Sequence, residues 1–309
     1  MRSVRVFLTE KCNANCPHCI NKNKRGSSLM DVKRFRKMCQ YFQNNHVEGI
    51  KIMGGEPTIH PQFDEMLRIS QQFFKRVSVF TNAINDAILL FKPRKMDGIN
   101  YNFIFFQTLS KHKFLLQYPG YRALEIIIQK DTDEDSLLKN IFSVTKGKEK
   151  RFSVLLTMDC TENIFQYRDI LIQKFEKIFL ACKRKGFKVS LDHSIPVCFI
   201  YGTKIPIFRH GAFCDLSCAG LIDADFNLRF CNQHPQKLIN IFAENGEILP
   251  FQIIENHLKY THLQNQINAM NKICLDCPLF DRSCNGGCFI TQKAITKKSI
   301  LQKTSLPTI

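Results

Sequence analysis

The feature that most constrains this chain of 309 residues is a run of three cysteines, Cys12, Cys16 and Cys19, spaced as CxxxCxxC. Three thiols in one short loop are able to converge on a single metal centre, a spacing that ordinary core packing does not require. Structural zinc usually takes four protein ligands, and His18 stands too close to Cys19 to turn easily onto the same ion. An iron–sulfur cluster held by three thiolates keeps one iron open for another ligand. The run therefore predicts such a cluster, with zinc as the alternative.

A second motif, Gly54-Gly55-Glu56-Pro57, directly follows a predicted buried strand over residues 49–53. Two glycines allow the backbone to approach a ligand where a Cβ atom would clash. Glu56 offers a carboxylate that can accept hydrogen bonds from an ammonium group. Alone, such a run is more often a turn. Its place after a strand, downstream of the three cysteines, favours a ligand-binding loop.

Together these two motifs resemble the signature of the radical S-adenosylmethionine (radical SAM) enzymes. The resemblance implies that Cys12, Cys16 and Cys19 bind a 4Fe-4S cluster, whose open iron chelates the methionine part of S-adenosylmethionine. In that family an electron from the cluster cleaves the cofactor to a 5′-deoxyadenosyl radical, which then abstracts a hydrogen atom from the substrate.

The same resemblance implies roles for the residues around the cofactor. The run at 54–57 corresponds to the family's GGEP motif, which binds the amino group of the methionine. Thr81 and Asn82, after the third predicted strand, resemble a polar pair that faces the ribose or the methionine carboxylate. His18 stands where the family usually has an aromatic residue beside adenine. For His18 a solvent-facing loop position is the alternative.

Apolar periodicity predicts strands that alternate with helices over the first part of the chain. The predicted strands cover 4–8, 49–53, 76–80, 100–106, 124–129, 152–157 and 188–191, and the predicted helices 29–45, 63–74, 86–91, 133–144 and 163–185. This alternation indicates an α/β fold with a parallel sheet, either an open barrel or a doubly wound sheet. The resemblance implies a partial (βα)6 TIM-like barrel, whose active site lies at the carboxyl ends of the strands.

After about residue 196 cysteines and glycines become frequent, and regular periodicity fades except over 253–270. We predict a core barrel domain over 1–200 and a small cysteine-rich domain over 201–309, with the boundary between 196 and 212. The second region contains seven cysteines, Cys214, Cys218, Cys231, Cys274, Cys277, Cys284 and Cys288. A zinc ribbon is one explanation, because CxxC pairs favour zinc.

These cysteines also resemble the SPASM extension of radical SAM enzymes, which carries auxiliary iron–sulfur clusters. The resemblance implies one cluster on Cys214, Cys218, Cys231 and Cys288, and a second on Cys274, Cys277 and Cys284. Two features depart from the pattern: residues 289–309 contain no Cys, His, Asp or Glu as a further ligand, and Phe226 replaces a glycine. In the smaller twitch variant a single cluster would take Cys218, Cys231, Cys274 and Cys277.

Candidate catalytic groups follow the last predicted strands: Asp159, Cys160, Asp192 and Cys198. A thiol there could return a hydrogen atom to a substrate radical, and a carboxylate could act as a base. Packing in a loop or the core is the alternative for each. Cys39 and Cys182 fall within predicted helices and are expected to be small core residues.

The resemblance implies maturation of a ribosomally made peptide by crosslinking, thioether formation or epimerisation. Because Cys12 lies so early, we expect substrate recognition by the barrel mouth or by a separate leader-recognition protein. Flavodoxin or ferredoxin would supply electrons. The alternatives are a radical SAM dehydrogenase or modifier of a small molecule such as a sugar or nucleoside and, more remotely, a nucleic-acid-binding zinc protein.

The net charge of +17 could attract an acidic peptide or a nucleic acid. The lysines are scattered along a chain that is also rich in Ile, Asn and Phe, so composition is the simpler explanation and nucleic acid is not the expected partner. We find neither an apolar run of about 18 residues nor a secretory segment. We therefore expect a cytoplasmic location and no membrane partner. The 14 cysteines are expected to be reduced, metal-binding thiols.

Overall fold

Strands and helices alternate along the chain, as its apolar periodicity predicts. The computed structural model describes residues 3–16, 19, 21, 26–102, 121–158, 165–191, 197–200, 220–231, 237–269 and 274. Within them the strands are β1 (Ser3–Phe7), β2 (Gly49–Met53), β3 (Arg76–Thr81), β4 (Gly98–Asn102), β5 (Tyr121–Ile128), β6 (Phe152–Met158), β7 (Lys188–Leu191), β8 (Leu221–Ile222), β9 (Asn227–Arg229) and β10 (Lys237–Asn240). The helices are α1 (Val32–Asn44), α2 (Phe63–Phe73), α3 (Glu134–Thr145), α4 (Arg168–Arg184), α5 (Val197–Ile200) and α6 (Phe251–Ala269).

All ten described strands belong to one sheet, in the order β10-β9-β8-β1-β2-β3-β4-β5-β6-β7. From β1 to β7 every neighbouring pair is parallel. The parallel sheet with helices between its strands confirms the predicted α/β partial barrel, and β7 closes the series at the predicted residues 188–191. Strand β4 begins earlier than predicted, and residues 103–106 of that prediction lie outside the described part.

The core lies between the sheet and its helices. Val4 and Val6 of β1 and Ile50 and Ile52 of β2 are buried in it. On the helix side it contains Phe35, Met38, Cys39 and Phe42 of α1 and Cys182 of α4. Cys39 and Cys182 are thus core residues, as predicted, and burial raises the pKa of Cys182 to about 12.

The opposite face of the sheet, here called the inner face, carries the alternate residues of each strand. Side chains of a strand alternate between its two faces, so Arg5 lies on the inner face between the buried Val4 and Val6. The register pairs Arg5 with Lys51, and Lys51 with Ser78. These three side chains are half-buried, whereas the residues next to them in each strand, which face the helices, are fully buried. The inner face is therefore more open than the face that packs on the helices.

Strands β8, β9 and β10 extend the barrel's sheet beyond β1. Strand β8 is parallel to β1, and β9 and β10 are antiparallel to their neighbours. The segment that follows packs against α1, where the Tyr41 hydroxyl donates to the Leu249 carbonyl at 2.8 Å. The Arg34 guanidinium lies 4.5 Å from the ring centre of Phe226 and 4.2 Å from that of Phe242. A separate domain over 201–309 stays a prediction.

Among the described residues no helix is both long and apolar enough to span a bilayer.

Candidate functional site

The cysteine loop leaves the sheet at the carboxyl end of β1 and returns beside it. Thr9 forms an antiparallel bridge with Leu29, and the Glu10 amide donates to the Ser28 carbonyl at 3.2 Å. Cys12, Cys16 and Cys19 are half-buried on this loop, and the Cys19 amide donates to the Cys16 carbonyl at 3.2 Å. The loop is thus fixed at both ends next to the edge where an active site is expected.

The two glycines after β2 pack against the backbone of the cysteine loop. The Gly55 amide donates to the Thr9 carbonyl at 2.9 Å, and the Glu56 amide donates to the Lys11 carbonyl at 2.8 Å. A Cβ atom at Gly54 would overlap the Thr9 oxygen, and one at Gly55 would overlap the Lys11 oxygen. The sequence predicted that the glycines admit a ligand. The structure gives them a further role, because they let the two loops lie side by side.

Glu56 is a buried carboxylate that joins the ends of β2 and β3. The residue is 1% exposed. Its Oε1 atom accepts hydrogen bonds from the Thr58 amide at 3.1 Å, the Thr58 hydroxyl at 2.6 Å and the Thr81 hydroxyl at 2.8 Å. Its Oε2 atom accepts one from the Asn82 amide at 2.7 Å. Burial raises the pKa of Glu56, although these hydrogen bonds oppose the shift.

Asn82 connects the end of β3 to the cysteine loop. Its side-chain amide donates to the Asn13 side-chain oxygen at 2.9 Å and lies 4.0 Å from the Cys12 sulfur. Its own side-chain oxygen accepts from the Ile84 amide at 2.9 Å. Loops that follow β1, β2 and β3 are therefore tied together at one edge of the sheet by Glu56 and Asn82.

The residues present fit the cofactors that the motifs imply. Three thiols lie on one loop, and the Asn82 side-chain amide approaches the sulfur of one of them, Cys12. The Glu56 carboxylate, which has only neutral donors around it among the described residues, accepts from the Asn82 backbone amide. Thiolates are the usual ligands of iron–sulfur clusters. No group of three or more Cys, His, Asp or Glu side chains among the described residues is close enough to hold a metal ion. Convergence of the three thiols on a cluster therefore stays a prediction.

Many of the other predicted site residues lie outside the described part of the chain: His18, Asp159, Cys160, Asp192, Cys214, Cys218, Cys277, Cys284 and Cys288. Cys198 belongs to α5, but its side chain is also outside that part. Cys231, just after β9, and Cys274 are described, and both are buried. Their role as cluster ligands stays a prediction.

Two residues of the site were not predicted from the sequence. Thr58 supplies two of the four donors to Glu56, and Asn13 accepts from Asn82. A polar residue two positions after a buried carboxylate was the available signal for Thr58, because a short hydroxyl side chain commonly bonds locally in turns. Asn13 lies within the cysteine motif, and the sequence contains no local signal for its distant partner.

The fold and the candidate site together define a partial-barrel protein with a cysteine loop at the carboxyl edge of its sheet. Comparison with known proteins gives the family. Residues 6–138 match the radical SAM superfamily. The chain therefore contains a radical SAM domain, the domain of a superfamily of enzymes that bind a 4Fe-4S cluster and S-adenosylmethionine, and the recognition made from the motifs is confirmed.

Curated relatives carry several different names. "Probable GTP 3′,8-cyclase" of Pyrococcus horikoshii is 25% identical over 272 residues, which cover 78% of this chain and 86% of that protein. Human "Molybdenum cofactor biosynthesis protein 1" is 25% identical over 169 residues, and the match spans 47% of this chain but only 26% of the human protein. "Antilisterial bacteriocin subtilosin biosynthesis protein AlbA" of Bacillus subtilis is 33% identical over 77 residues, which cover 25% of this chain and 17% of that protein.

Solved structures share the fold over nearly the whole chain. Streptococcus suis SuiB bound to the precursor peptide SuiA matches with a TM-score of 0.68 and 13% identity, covering 97% of this chain and 76% of SuiB. The structure named anSMEcpe with bound AdoMet and a Cp18Cys peptide matches with a TM-score of 0.65 and 13% identity, covering 96% and 92%. At this identity the likeness establishes the fold alone.

Proposed function

We propose that this chain is a radical SAM enzyme that abstracts a hydrogen atom from a peptide or protein substrate during maturation of a ribosomally made peptide. When bound, the cluster and S-adenosylmethionine would supply an electron and a 5′-deoxyadenosyl radical. Cys12, Cys16 and Cys19 would hold the cluster. One observation carries the proposal: the loops after β1, β2 and β3 are joined at one edge of the sheet through Glu56 and Asn82.

Glu56 is suited to the methionine amino group because its described hydrogen-bond donors are all neutral. They are the amides and hydroxyls of Thr58, Thr81 and Asn82. Buried charges are normally paired with an opposite charge, so an ammonium group would complete this site. Only one of the described hydrogen bonds reaches Oε2, and we assign that atom to the amino group.

A peptide substrate is favoured by the cysteines of the C-terminal region and by the relative named for bacteriocin biosynthesis. Seven cysteines after residue 213 are enough for one or two auxiliary clusters, which would take up the electron that remains when an oxidative crosslink forms. The proposal includes two partners, an external electron donor such as flavodoxin or ferredoxin and a separate leader-recognition protein.

A small anionic substrate, a nucleotide, is the second candidate. Arg5 and Lys51 are register partners on the inner face of β1 and β2, and the Arg5 Nε atom is buried and makes no hydrogen bond within the described part of the chain. Two neighbouring cations suit a phosphate group. The relatives named as GTP 3′,8-cyclases agree with this candidate.

The first experiment tests the class of reaction. The full chain is reconstituted anaerobically with iron and sulfide, reduced, and incubated with S-adenosylmethionine. We expect a brown protein that forms 5′-deoxyadenosine, and a variant with Cys12, Cys16 and Cys19 all changed to Ala that forms none. A colourless protein loaded with zinc, without 5′-deoxyadenosine, would eliminate the proposal.

The second experiment separates the two substrates. The protein is incubated with deuterated GTP, or with deuterated peptides encoded by short reading frames beside its gene. Transfer of deuterium to 5′-deoxyadenosine identifies the substrate. Peptide turnover should survive Arg5→Met, whereas GTP turnover should not. Transfer from GTP alone would replace the peptide proposal with the nucleotide one.

The hydrogen donor and base remain proposals at Cys160, Cys198, Asp159 and Asp192, because these residues follow the last strands of the barrel in sequence. A thiol that returns a hydrogen atom should be essential for epimerisation. Cys160→Ala and Cys198→Ala variants that both keep full turnover would remove thiols from the mechanism.

A further inference from the structure

The C-terminal strands bring a second loop to the same edge of the sheet as the cysteine loop. Strand β8 is parallel to β1, with Val6 opposite Ile222. Residues that follow the two strands therefore meet at the carboxyl edge. Asp223 directly follows β8, and Glu10 lies on the cysteine loop shortly after β1.

Arg229 connects these two carboxylates. The register pairs Leu221 with both Arg5 and Arg229, so Arg229 lies on the inner face in the same row as Arg5. It is 8% exposed. Its Nε atom donates to Asp223 Oδ2 at 2.9 Å, and its Nη2 atom donates to Glu10 Oε1 at 3.4 Å. A single side chain thus spans from the C-terminal strands to the cysteine loop.

The Asp223 end of this connection is rigid. Asp223 is fully buried, and its Oδ1 atom accepts from the Asp225 amide at 3.1 Å, the Asn227 amide at 2.8 Å and the Asn227 side chain at 3.0 Å. The guanidinium is planar and presents its donors in a fixed geometry. The orientation of Arg229 is therefore set by the turn between β8 and β9.

The Glu10 end belongs to the backbone that supports the proposed cofactor site. Glu10 is followed by Lys11, whose carbonyl accepts the Glu56 amide at 2.8 Å, and then by Cys12. A Cβ atom at Gly26 would overlap the Glu10 carboxylate, so the other arm of the cysteine loop also packs against it. Displacement of Glu10 would move both Cys12 and the backbone that holds Glu56.

We propose that Arg229 is a positioning residue through which the C-terminal strands hold the cysteine loop in place for its cluster and for S-adenosylmethionine. This inference rests on the proposed function for its catalytic consequence, but its structural part does not. Arg229 also lies two residues before Cys231, so the same short segment links the cysteine loop to a predicted ligand of an auxiliary cluster. An ion pair that stabilised only the β8–β9 turn would leave the cysteine loop unaffected by the loss of Arg229.

Hydrogen exchange of the full chain, prepared without the cluster, tests the structural part. In Arg229→Met, the amides of Glu10 and Glu56 should exchange about tenfold faster, because a hydrogen bond to a charged group is lost. Amides of β5 and β6 that exchange by local opening should keep their rates, because only global unfolding is sensitive to the loss of the Asp223 partner. Arg68→Met is the matched control, because it removes an exposed ion pair with Asp64. Unchanged exchange at Glu10 and Glu56, or equal acceleration throughout the sheet, would overturn the inference.

Kinetics of the reconstituted protein tests the catalytic part. Arg229→Met should retain its iron content, while the KM for S-adenosylmethionine rises about tenfold and kcat changes little. Arg229→Lys should recover part of this loss. Glu10→Gln should resemble Arg229→Met, and the double variant should be no worse than either. Additive effects of the two changes would contradict the connection. A wild-type protein that forms no 5′-deoxyadenosine would instead contradict the proposed function and leave the exchange result standing.

Discussion

Two buried carboxylates at the carboxyl edge of the sheet, Glu56 and Asp223, are balanced in different ways. Glu56 accepts only from neutral amides and hydroxyls among the described residues. Asp223 accepts from neutral amides too, but it also receives the Arg229 guanidinium at 2.9 Å. Each is almost completely removed from solvent. The two sites therefore differ in whether the protein supplies the opposite charge.

This difference is the physical reason for proposing a binding site at Glu56 and a structural role for Asp223. A buried carboxylate with a cation and a full set of hydrogen bonds has no need of a ligand. One with neutral donors alone remains costly in its charged form, and burial raises the pKa of Glu56 accordingly. A cationic ligand would relieve that cost. The comparison thus supports the proposal that Glu56 binds a ligand, whereas Asp223 stabilises the turn that it accepts hydrogen bonds from.

The largest effect is expected at Asp223. Asp223→Ala leaves the buried guanidinium of Arg229 without its principal partner and removes the acceptor of the β8–β9 turn, so the free energy of unfolding should fall by about 3 kcal/mol. Urea denaturation followed by circular dichroism measures it. Asp64→Ala, which breaks an exposed ion pair, should cost less than about 1 kcal/mol. Equal losses in the two variants would show that Asp223 is not a structural centre.

Phe226 lies in the same β8–β9 turn, where its amide donates to the Asp223 carbonyl at 2.9 Å. It has a φ of 65°, in the left-handed region, where the sequence pattern expects glycine, yet its ring packs against Phe242 at 5.1 Å and Arg34 lies over it. Loss of the ring's packing should destabilise the fold more than relief of the backbone strain stabilises it. Phe226→Gly should therefore lower the free energy of unfolding by about 2 kcal/mol.

Ala83, beside the Glu56 site, provides the matched control for Phe226. Its φ is 56°, and it has only a methyl group to lose. Ala83→Gly should therefore change stability by less than about 1 kcal/mol. If both glycine variants stabilised the protein, backbone strain would outweigh packing at Phe226 as well.

A smaller effect on stability is expected at Glu56. Glu56→Gln keeps the shape but turns an amide toward existing donors, which should cost about 1–2 kcal/mol at neutral pH. The sign of the pH dependence follows from the raised pKa of Glu56, whose ordinary value is 4.5. Wild-type stability should fall as pH rises from 4.5 through the folded pKa, because ionisation of the buried group is disfavoured.

The Gln variant should lack that part of the pH dependence. Denaturation between pH 4 and 7 measures the two curves, with Asp64→Ala as the control that keeps the wild-type slope. Parallel curves for the wild type and Glu56→Gln would mean that folding does not disfavour ionisation of the Glu56 carboxyl group. In the reconstituted protein the same variant should raise the KM for S-adenosylmethionine, because the amide cannot balance an ammonium group.

Much of the barrel was predictable because strands and helices leave local periodic signals. Strands β2 and β7 were predicted at their observed bounds. Helix α2 begins at its predicted residue, and the bounds of α1, α3 and α4 differ from the predicted ones by one to five residues, since capping depends on detailed geometry. The motifs at 12–19 and 54–57 pointed to neighbouring loops of the candidate site because each follows a strand of a parallel sheet. Their hydrogen bonds to each other were not predictable from either motif alone.

The connection through Arg229 could not be predicted, because Glu10 and Arg229 are 219 residues apart in the sequence. It requires knowing that β8 inserts beside β1 instead of following β7. The short strands β8 and β9 have no recognisable period, and the cysteines around them indicate metal binding and not a strand. Side-chain contacts across a sheet depend on strand order and register, which local patterns do not encode.

The smallest effect is expected at His60, which ties the end of the cysteine loop to the segment after Glu56. His60 is 4% exposed. Its Nδ1 atom accepts from the Gln62 amide at 3.1 Å, so its Nε2–H donates to the Met30 carbonyl, also at 3.1 Å. Burial lowers the pKa of His60 from its ordinary value of 6.5. The folded protein therefore favours the neutral ring, because protonation would remove the acceptor at Nδ1.

The sign for His60 is opposite to that for Glu56. Stability should be complete above pH 6.5 and decline as pH falls through 6.5 toward the lowered folded pKa, with a slope of at most about 1.4 kcal/mol per pH unit. His60→Gln should lack this decline. The protection of the Met30 and Gln62 amides against hydrogen exchange, relative to their intrinsic rates, should decrease in the same pH window. The protection of the Asn227 amide, which donates to the ion-paired Asp223, should not decrease. Loss of protection at all three amides together would mean that acid destabilises the whole edge of the sheet. The contrast between the sites held by neutral hydrogen bonds and the Asp223–Arg229 ion pair would then be wrong.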